Sequence, residues 1–99
     1  MGAQRPSSAW RVVAVGPQDS YKIQVRFADG LEGVVDMSVL IFSERAGVFA
    51  ALKDETLFKS VLVEQGAVAW PNGLDLAPDA MHRAIRATGT FIPGMEQAA

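Results

Sequence analysis

The sequence predicts an α+β fold: a small, curved antiparallel sheet made of two hairpins plus an N-terminal strand, with short helices and one C-terminal helix. Three observations predict it. Tyr21, Ile23, Val25 and Phe27 alternate with Lys22, Gln24 and Arg26, and a second alternating run follows at once after Ala28-Asp29-Gly30. Trp70-Pro71-Asn72-Gly73 is a turn signal placed after a second set of apolar strands. Ala77-Pro78-Asp79 opens a segment with apolar residues at helical spacing that stops at Gly89. Period-two and period-3.6 patterns in one short chain point to a mixed fold.

The first strand is read from Val12, Val13 and Val15, β-branched residues that end at Gly16-Pro17. The hairpin after it has a register that can be decided. A two-residue loop at Asp29-Gly30 would set Phe27 against Glu32 and Ile23 against Asp36, mixing carboxylates into the apolar face. A three-residue loop pairs Phe27 with Leu31, Val25 with Gly33 and Ile23 with Val35, and a slip of one residue would move every side chain to the other face. The same register sets Arg26 opposite Glu32 and Lys22 opposite Asp36, so packing and charge agree. A type I turn with Gly30 in a left-handed G1 bulge follows.

Val39 to Phe42 is too apolar for a surface loop and is read as a helical turn over the sheet. Phe49 and Leu52, three apart after Gly47, and Leu57 with Phe58 behind a capping Asp54, extend this into one or two short helices. Ser60 to Glu64 and Ala67 to Trp70 form the second hairpin, apolar on both faces and so expected near the sheet centre or covered on both sides. In the turn that follows, Pro71 presets φ and Asn72 or Gly73 takes positive φ. The last helix has Pro78 in its first turn, Asp79 at the positive end of its dipole, and Met81, Ala84 and Ile85 on one face. Residues 1–9 are read as a lead-in, 10–89 as the single domain, and 90–99 as a C-terminal tail.

Composition narrows the function. The 99 residues are 49% apolar with no cysteine, one histidine and a net charge of −2, which suits one globular domain without disulfides or thiolate chemistry. No apolar run nears the ~20 residues of a membrane helix, and no secretory pattern opens the chain, so a cytoplasmic setting without membrane contact is expected. The only basic cluster is His82, Arg83 and Arg86, too small a patch for nucleic-acid binding by this domain alone and best read as a solvated helix face. His82 is expected to be solvent-facing. Asp79 and His82 make two ligands, which is no metal site, so neither a metal nor a cofactor is expected. Ser20, Ser38, Ser43 and Ser60 lack a nucleophile setting. Asp54 and Asp79 are explained by helix ends, while Asp75, between Leu74 and Leu76, is the least explained carboxylate. Trp70 is expected in the core.

From Arg11 to Ile85 the chain resembles a small bacterial family, the domain of unknown function DUF2442. The resemblance is carried by Val25-Arg26-Phe27-Ala28-Asp29-Gly30, by Gly47-Val48-Phe49 through Leu52-Lys53-Asp54, by Phe58, and above all by Trp70 through Asp79. It implies an α+β fold with a curved sheet and a C-terminal helix, and no established activity. The family often has Leu-Tyr where this chain has Met81-His82. Its genes often neighbour that of another small protein, which implies a toxin–antitoxin association. Some members continue into a helix-turn-helix domain, for which these residues leave no room.

The expected function is thus a non-enzymatic protein-interaction or regulatory module. An antitoxin-like component of a two-gene system is the alternative, with a carboxylate-based enzyme behind it. Trp70, Pro71, Asn72, Asp75, Asp79 and His82 are the candidate binding residues, and Asp29, Gly30 and Gly73 the structural turn residues. The partner is another protein or a second copy. Val34 on the polar face of the first hairpin and Phe91-Ile92 in the tail are the candidates for a homodimer contact.

Replacing Gly30 with Ala forces a Cβ into the left-handed region and is expected to cost about 1 kcal/mol in denaturant unfolding. An unchanged midpoint and slope would refute the register.

Overall fold

The computed structural model describes residues 10–94; the lead-in 1–9 and the last five positions, 95–99, lie outside the described residues. Strands β1 (Val12–Gln18), β2 (Lys22–Phe27) and β3 (Glu32–Asp36) form an antiparallel meander. Short helices α1 (Ser38–Ile41) and α2 (Glu55–Phe58) flank a 3-10 helix at Gly47–Lys53. The hairpin β4 (Leu62–Glu64) and β5 (Ala67–Ala69) precedes helix α3 (Pro78–Thr88), and Thr90–Phe91 forms β6. No helix among the described residues is long and apolar enough to cross a membrane.

The first hairpin has the expected register: Arg26 opposes Glu32, Val25 opposes Gly33, and Lys22 opposes Asp36. The Phe27 N–H donates to the Leu31 carbonyl at 2.8 Å and the Gly30 N–H to the Phe27 carbonyl at 2.9 Å, closing the loop with Gly30 at φ 91°. Ile23, Val25, Phe27 and Val35 are buried on the shared face. Of the two expected charge pairs, Arg26 and Glu32 meet at 3.9 Å, both mostly exposed. Lys22 and Asp36 face each other in register but make no ion pair. The Asp36 carboxylate instead accepts from the Ser38 N–H and hydroxyl at 3.0 and 2.7 Å, ending the strand and opening α1. Near backbone and hydroxyl donors cost little entropy to hold, whereas a lysine must freeze a long side chain to reach the same oxygens.

The turn at Trp70 repeats the turn at Phe27 atom for atom. The Trp70 N–H donates to the Leu74 carbonyl at 2.9 Å, the Gly73 N–H donates to the Trp70 carbonyl at 3.0 Å, and Gly73 has φ 96°. Asn72 Oδ1 accepts from the Leu74 N–H as Asp29 Oδ1 accepts from the Leu31 N–H. An aromatic residue, a spacer, Asp or Asn, Gly and Leu thus specify one bulged loop twice.

Three features differ from the sequence expectation. The second hairpin is not part of the main sheet, whose order is β1-β2-β3-β6; β4 and β5 form a two-stranded sheet of their own. The irregularity between Val12 and Ala14 explains this: a bulge twists β1 there, and the Val12 N–H reaches the Gly66 carbonyl without a continuing ladder. Second, the sheet is not wholly antiparallel, because β6 runs parallel to β3, pairing Val34 with Thr90 and Val35 with Phe91. Third, Tyr21 is not a strand residue. It sits at φ 61° beside Ser20 at φ 63°, a conformation that costs a side-chain-bearing residue about 1–3 kcal/mol. Its hydroxyl donates to the Lys53 carbonyl at 2.6 Å, and its ring meets Phe42 and Phe58 edge-on at 5.3 and 5.2 Å. Those contacts hold the loop against the helical segment.

The core lies between the buried face of the sheet, the helical segment, β5 and α3. Asp54 caps α2 by accepting from the Thr56 N–H at 2.9 Å. Phe49 and Leu52, three apart, share one face of the 3-10 helix, and Leu52 is fully buried. Trp70 is buried, and its indole N–H donates to the Phe58 carbonyl at 3.0 Å. Helix α3 buries Met81, His82 and Ile85 and ends at Gly89, whose N–H returns to the Ile85 carbonyl at φ 90°.

Helix α3 approaches the sheet at Gly33. A Cβ there would overlap the Ile85 side chain and stand 2.7 Å from the Gly89 carbonyl oxygen. The same carbonyl accepts from the Val34 N–H at 3.2 Å, so helix end and strand are locked at this point. Gly33→Ala is therefore expected to destabilise the domain by about 1–3 kcal/mol or more, through overpacking against backbone, and to exceed the effect of Gly30→Ala. Thermal unfolding of the two variants side by side checks the order; a Gly33→Ala protein as stable as the parent would refute the close approach.

Candidate functional site

The residues that recess the surface lie on the outer sides of α3. At 3.6 residues per turn, Met81 and Ile85 face the core, His82 and Arg86 follow on one flank, and Ala80, Ala84 and Ala87 line the other. Arg83 stands between the two flanks. On its first side is a cleft of about 350 Å³ lined by Trp10, Asp79, His82, Arg83 and Arg86. On its second side is an open groove of about 460 Å³ lined by Ala80, Arg83, Ala84, Ala87, Thr90, Phe91 and Ile92. Among the described residues Arg83 is the only charged one in the groove.

His82 forms the inner wall of the cleft. It is buried, not solvent-facing as its helix position suggests, because the turn of the first hairpin lies over it. The imidazole Nε2 and the Asp29 carboxylate are 2.9 Å apart, joining residues 53 positions apart in the chain. Phe27 meets the same ring edge-on at 4.8 Å. The hydrogen bond from His82, seconded by the Leu31 N–H, holds the Asp29 carboxyl below its ordinary value, so it is ionised and accepts the Nε2 proton. Asp29 thereby serves twice, shaping the hairpin turn and clasping α3. Gly30 and Gly73 hold the positive-φ positions of the two turns.

The other sequence candidates do not gather here. Trp70 is consumed by the core. Pro71 and Asn72 are exposed at the far turn, where Asn72 serves the backbone. Asp75 is exposed and its backbone bridges to Ala69, away from His82. Asp79 alone joins His82 in the cleft. Among the described residues no group of three or more His, Cys, Asp or Glu side chains comes together that could hold a metal ion. Sequence reasoning missed the alanine row, Trp10, and the part played by Arg83 and Arg86. The only signal for the row was its spacing at positions 80, 84 and 87, which in isolation reads as ordinary helix-forming alanine.

Residues 12–87 match the profile of a protein family described as "Protein of unknown function (DUF2442)". The chain belongs to this family. The match spans strands β1 to β5, both turns and almost all of α3, so the DUF2442 unit includes the Asp29–His82 pair and the α3 side of both recesses, while β6 lies just beyond it. No curated protein and no solved structure matches the chain.

The lowered pKa of Asp29 sets the sign of a pH effect. Its ionised form is favoured by folding, so the contribution is present above the ordinary Asp value of 3.8 and is lost as pH falls through the lower folded value. Asp29→Asn is expected to cost this DUF2442 domain about 1 kcal/mol at neutral pH, the modest figure reflecting a partly exposed carboxylate. The difference from the parent should shrink in strong acid. A gap that stays constant between neutrality and about pH 2 would contradict the assignment of an ionised Asp29 accepting from His82.

Proposed function

We propose that this DUF2442 domain is a protein-interaction module that docks a partner on the outer face of α3. The observation that carries the reading is the groove between α3 and β6: an apolar recess of about 460 Å³ walled by Ala80, Ala84 and Ala87 on one side and by Phe91 and Ile92 on the other. Recessed apolar surface next to a charged rim is the pattern of docking sites more than of catalytic ones. Among the described residues the adjoining cleft supplies an imidazole, two guanidiniums and a carboxylate but no Ser, Thr, Cys or Lys to act as a nucleophile. Asp75, the carboxylate that an enzyme reading needs beside His82, stands elsewhere. A regulatory role of the antitoxin type belongs to the same class, since such a regulator works by covering the surface of its partner.

Phe91 and Ile92 support this docking face in a different way from a tail that crosses to a second copy. Phe91 pairs within its own sheet, and both side chains are half-buried there. They build the wall of the groove.

Ala87 is exposed and lines the groove, so Ala87→Tyr fills it from the solvent side and leaves the core alone. Proteins recovered with the tagged chain from its own cells should be lost with Ala87→Tyr, while the melting temperature stays unchanged. The same set of proteins recovered with both forms would refute docking at this face.

A further inference from the structure

Resting on the docking reading above, we infer that the partner segment is an acidic amphipathic helix, its apolar face laid along the Ala80, Ala84 and Ala87 row and its carboxylates on Arg83 and Arg86. The shape of the groove selects a helix over a strand. β6 is two residues long, and its outer edge is covered by the Thr88 hydroxyl, which accepts from the Thr90 N–H at 3.4 Å and shares its one proton between the Thr90 carbonyl at 3.0 Å and the Ala84 carbonyl at 3.2 Å. Strand addition needs a free edge with unpaired donors and acceptors. The alanines, by contrast, follow i, i+4 and i+7 spacing and carry side chains of one carbon. A second helix can therefore approach α3 closely, with its larger apolar residues against Phe91 and Ile92.

Charge selects the sign of the partner. Arg83 and Arg86 are exposed, one helical turn apart, and neither has a carboxylate within ion-pair distance among the described residues. Among the described residues Arg83 is the sole charge of the groove, and Asp79 is the sole acidic residue lining the adjoining cleft. Guanidinium groups bind carboxylates through paired, charge-assisted hydrogen bonds, and two carboxylates one turn apart on a partner helix match the spacing of Arg83 and Arg86. A second copy of this chain fits worse. Among the described residues the α3 face carries two arginines against one carboxylate, Asp79, so a two-fold contact between two such faces brings together more cations than anions.

The test uses the full chain and three synthetic helical peptides of roughly 16 residues. All carry leucine at i, i+4 and i+7, and they differ only in a flanking pair of Glu, Gln or Lys residues. Amide NMR shifts locate binding and fluorescence anisotropy measures it. The Glu peptide should bind about tenfold tighter than the Gln peptide at low salt, should lose much of that advantage at high salt, and should shift residues of α3 and β6. The double variant Arg83→Gln, Arg86→Gln, with both changes at exposed positions, should keep its melting temperature and bind the Glu and Gln peptides alike. Equal binding of Glu and Gln peptides to the parent chain, or a preference for Lys, overturns the acidic-helix inference and leaves docking at the groove standing. Failure of all three peptides to bind, or shifts confined to other elements, overturns both. A chain that sediments as a dimer, and becomes monomeric on Ala87→Tyr, assigns the face to a second copy and overturns the inference as well.

Discussion

The contact of α3 with Gly33 is the constraint on which the rest of the structure depends. Any side chain at that position would collide with Ile85 and with the Gly89 carbonyl, so the absence of a Cβ sets how near the helix lies to the sheet. Because the helix ends directly over β3, the Gly89 carbonyl can accept from Val34 and the chain can turn into β6 beside the same strand. The parallel pairing, the burial of Met81 and Ile85, and the groove between α3 and β6 all follow from that single close approach. A helix held roughly 0.5–1 Å further out would forfeit about a quarter to a half of the dispersion attraction along its inner face.

Economy of means shows in the two bulged turns. Each is built on an Asp or Asn whose side chain accepts a backbone N–H, followed by a glycine in the left-handed region. At the second turn the carboxamide of Asn72 is left serving only its own loop. At the first, the carboxylate of Asp29 has a second oxygen free, and this oxygen takes the His82 imidazole. The local requirement of a turn and the long-range requirement of docking α3 are met by one side chain.

The surface of α3 divides cleanly because the helix is short and its sectors are chemically distinct. The core sector anchors, the His82 and Arg86 flank carries polarity, and the alanine flank is flat. Arg83 at the boundary belongs to both recesses, which makes an apolar groove and a basic cleft one continuous surface. The guanidiniums of Arg83 and Arg86, without an ion pair among the described residues, are held at low cost on this exposed ridge, since water solvates them.

Local pattern was enough for what depends on neighbours in the chain. The α+β class, the first hairpin with its register and Gly30, the Asp54 cap, the burial of Trp70 and the Gly89 stop were all legible, because period, turn chemistry and capping act over a few residues. The candidate site was legible only in fragments: His82, Arg83 and Arg86 stood out as a cluster, and Phe91-Ile92 as a candidate contact to a second copy. Their meaning was not, for it rests on contacts between distant segments. The Asp29–His82 pair joins residues 53 apart, the groove joins α3 to a strand added in parallel, and the left-handed Tyr21 is held by a carbonyl 32 positions away. Gly33 is the plainest case: the sequence alone shows a glycine in a strand, and only the tertiary structure decides that the missing Cβ is where the helix sits.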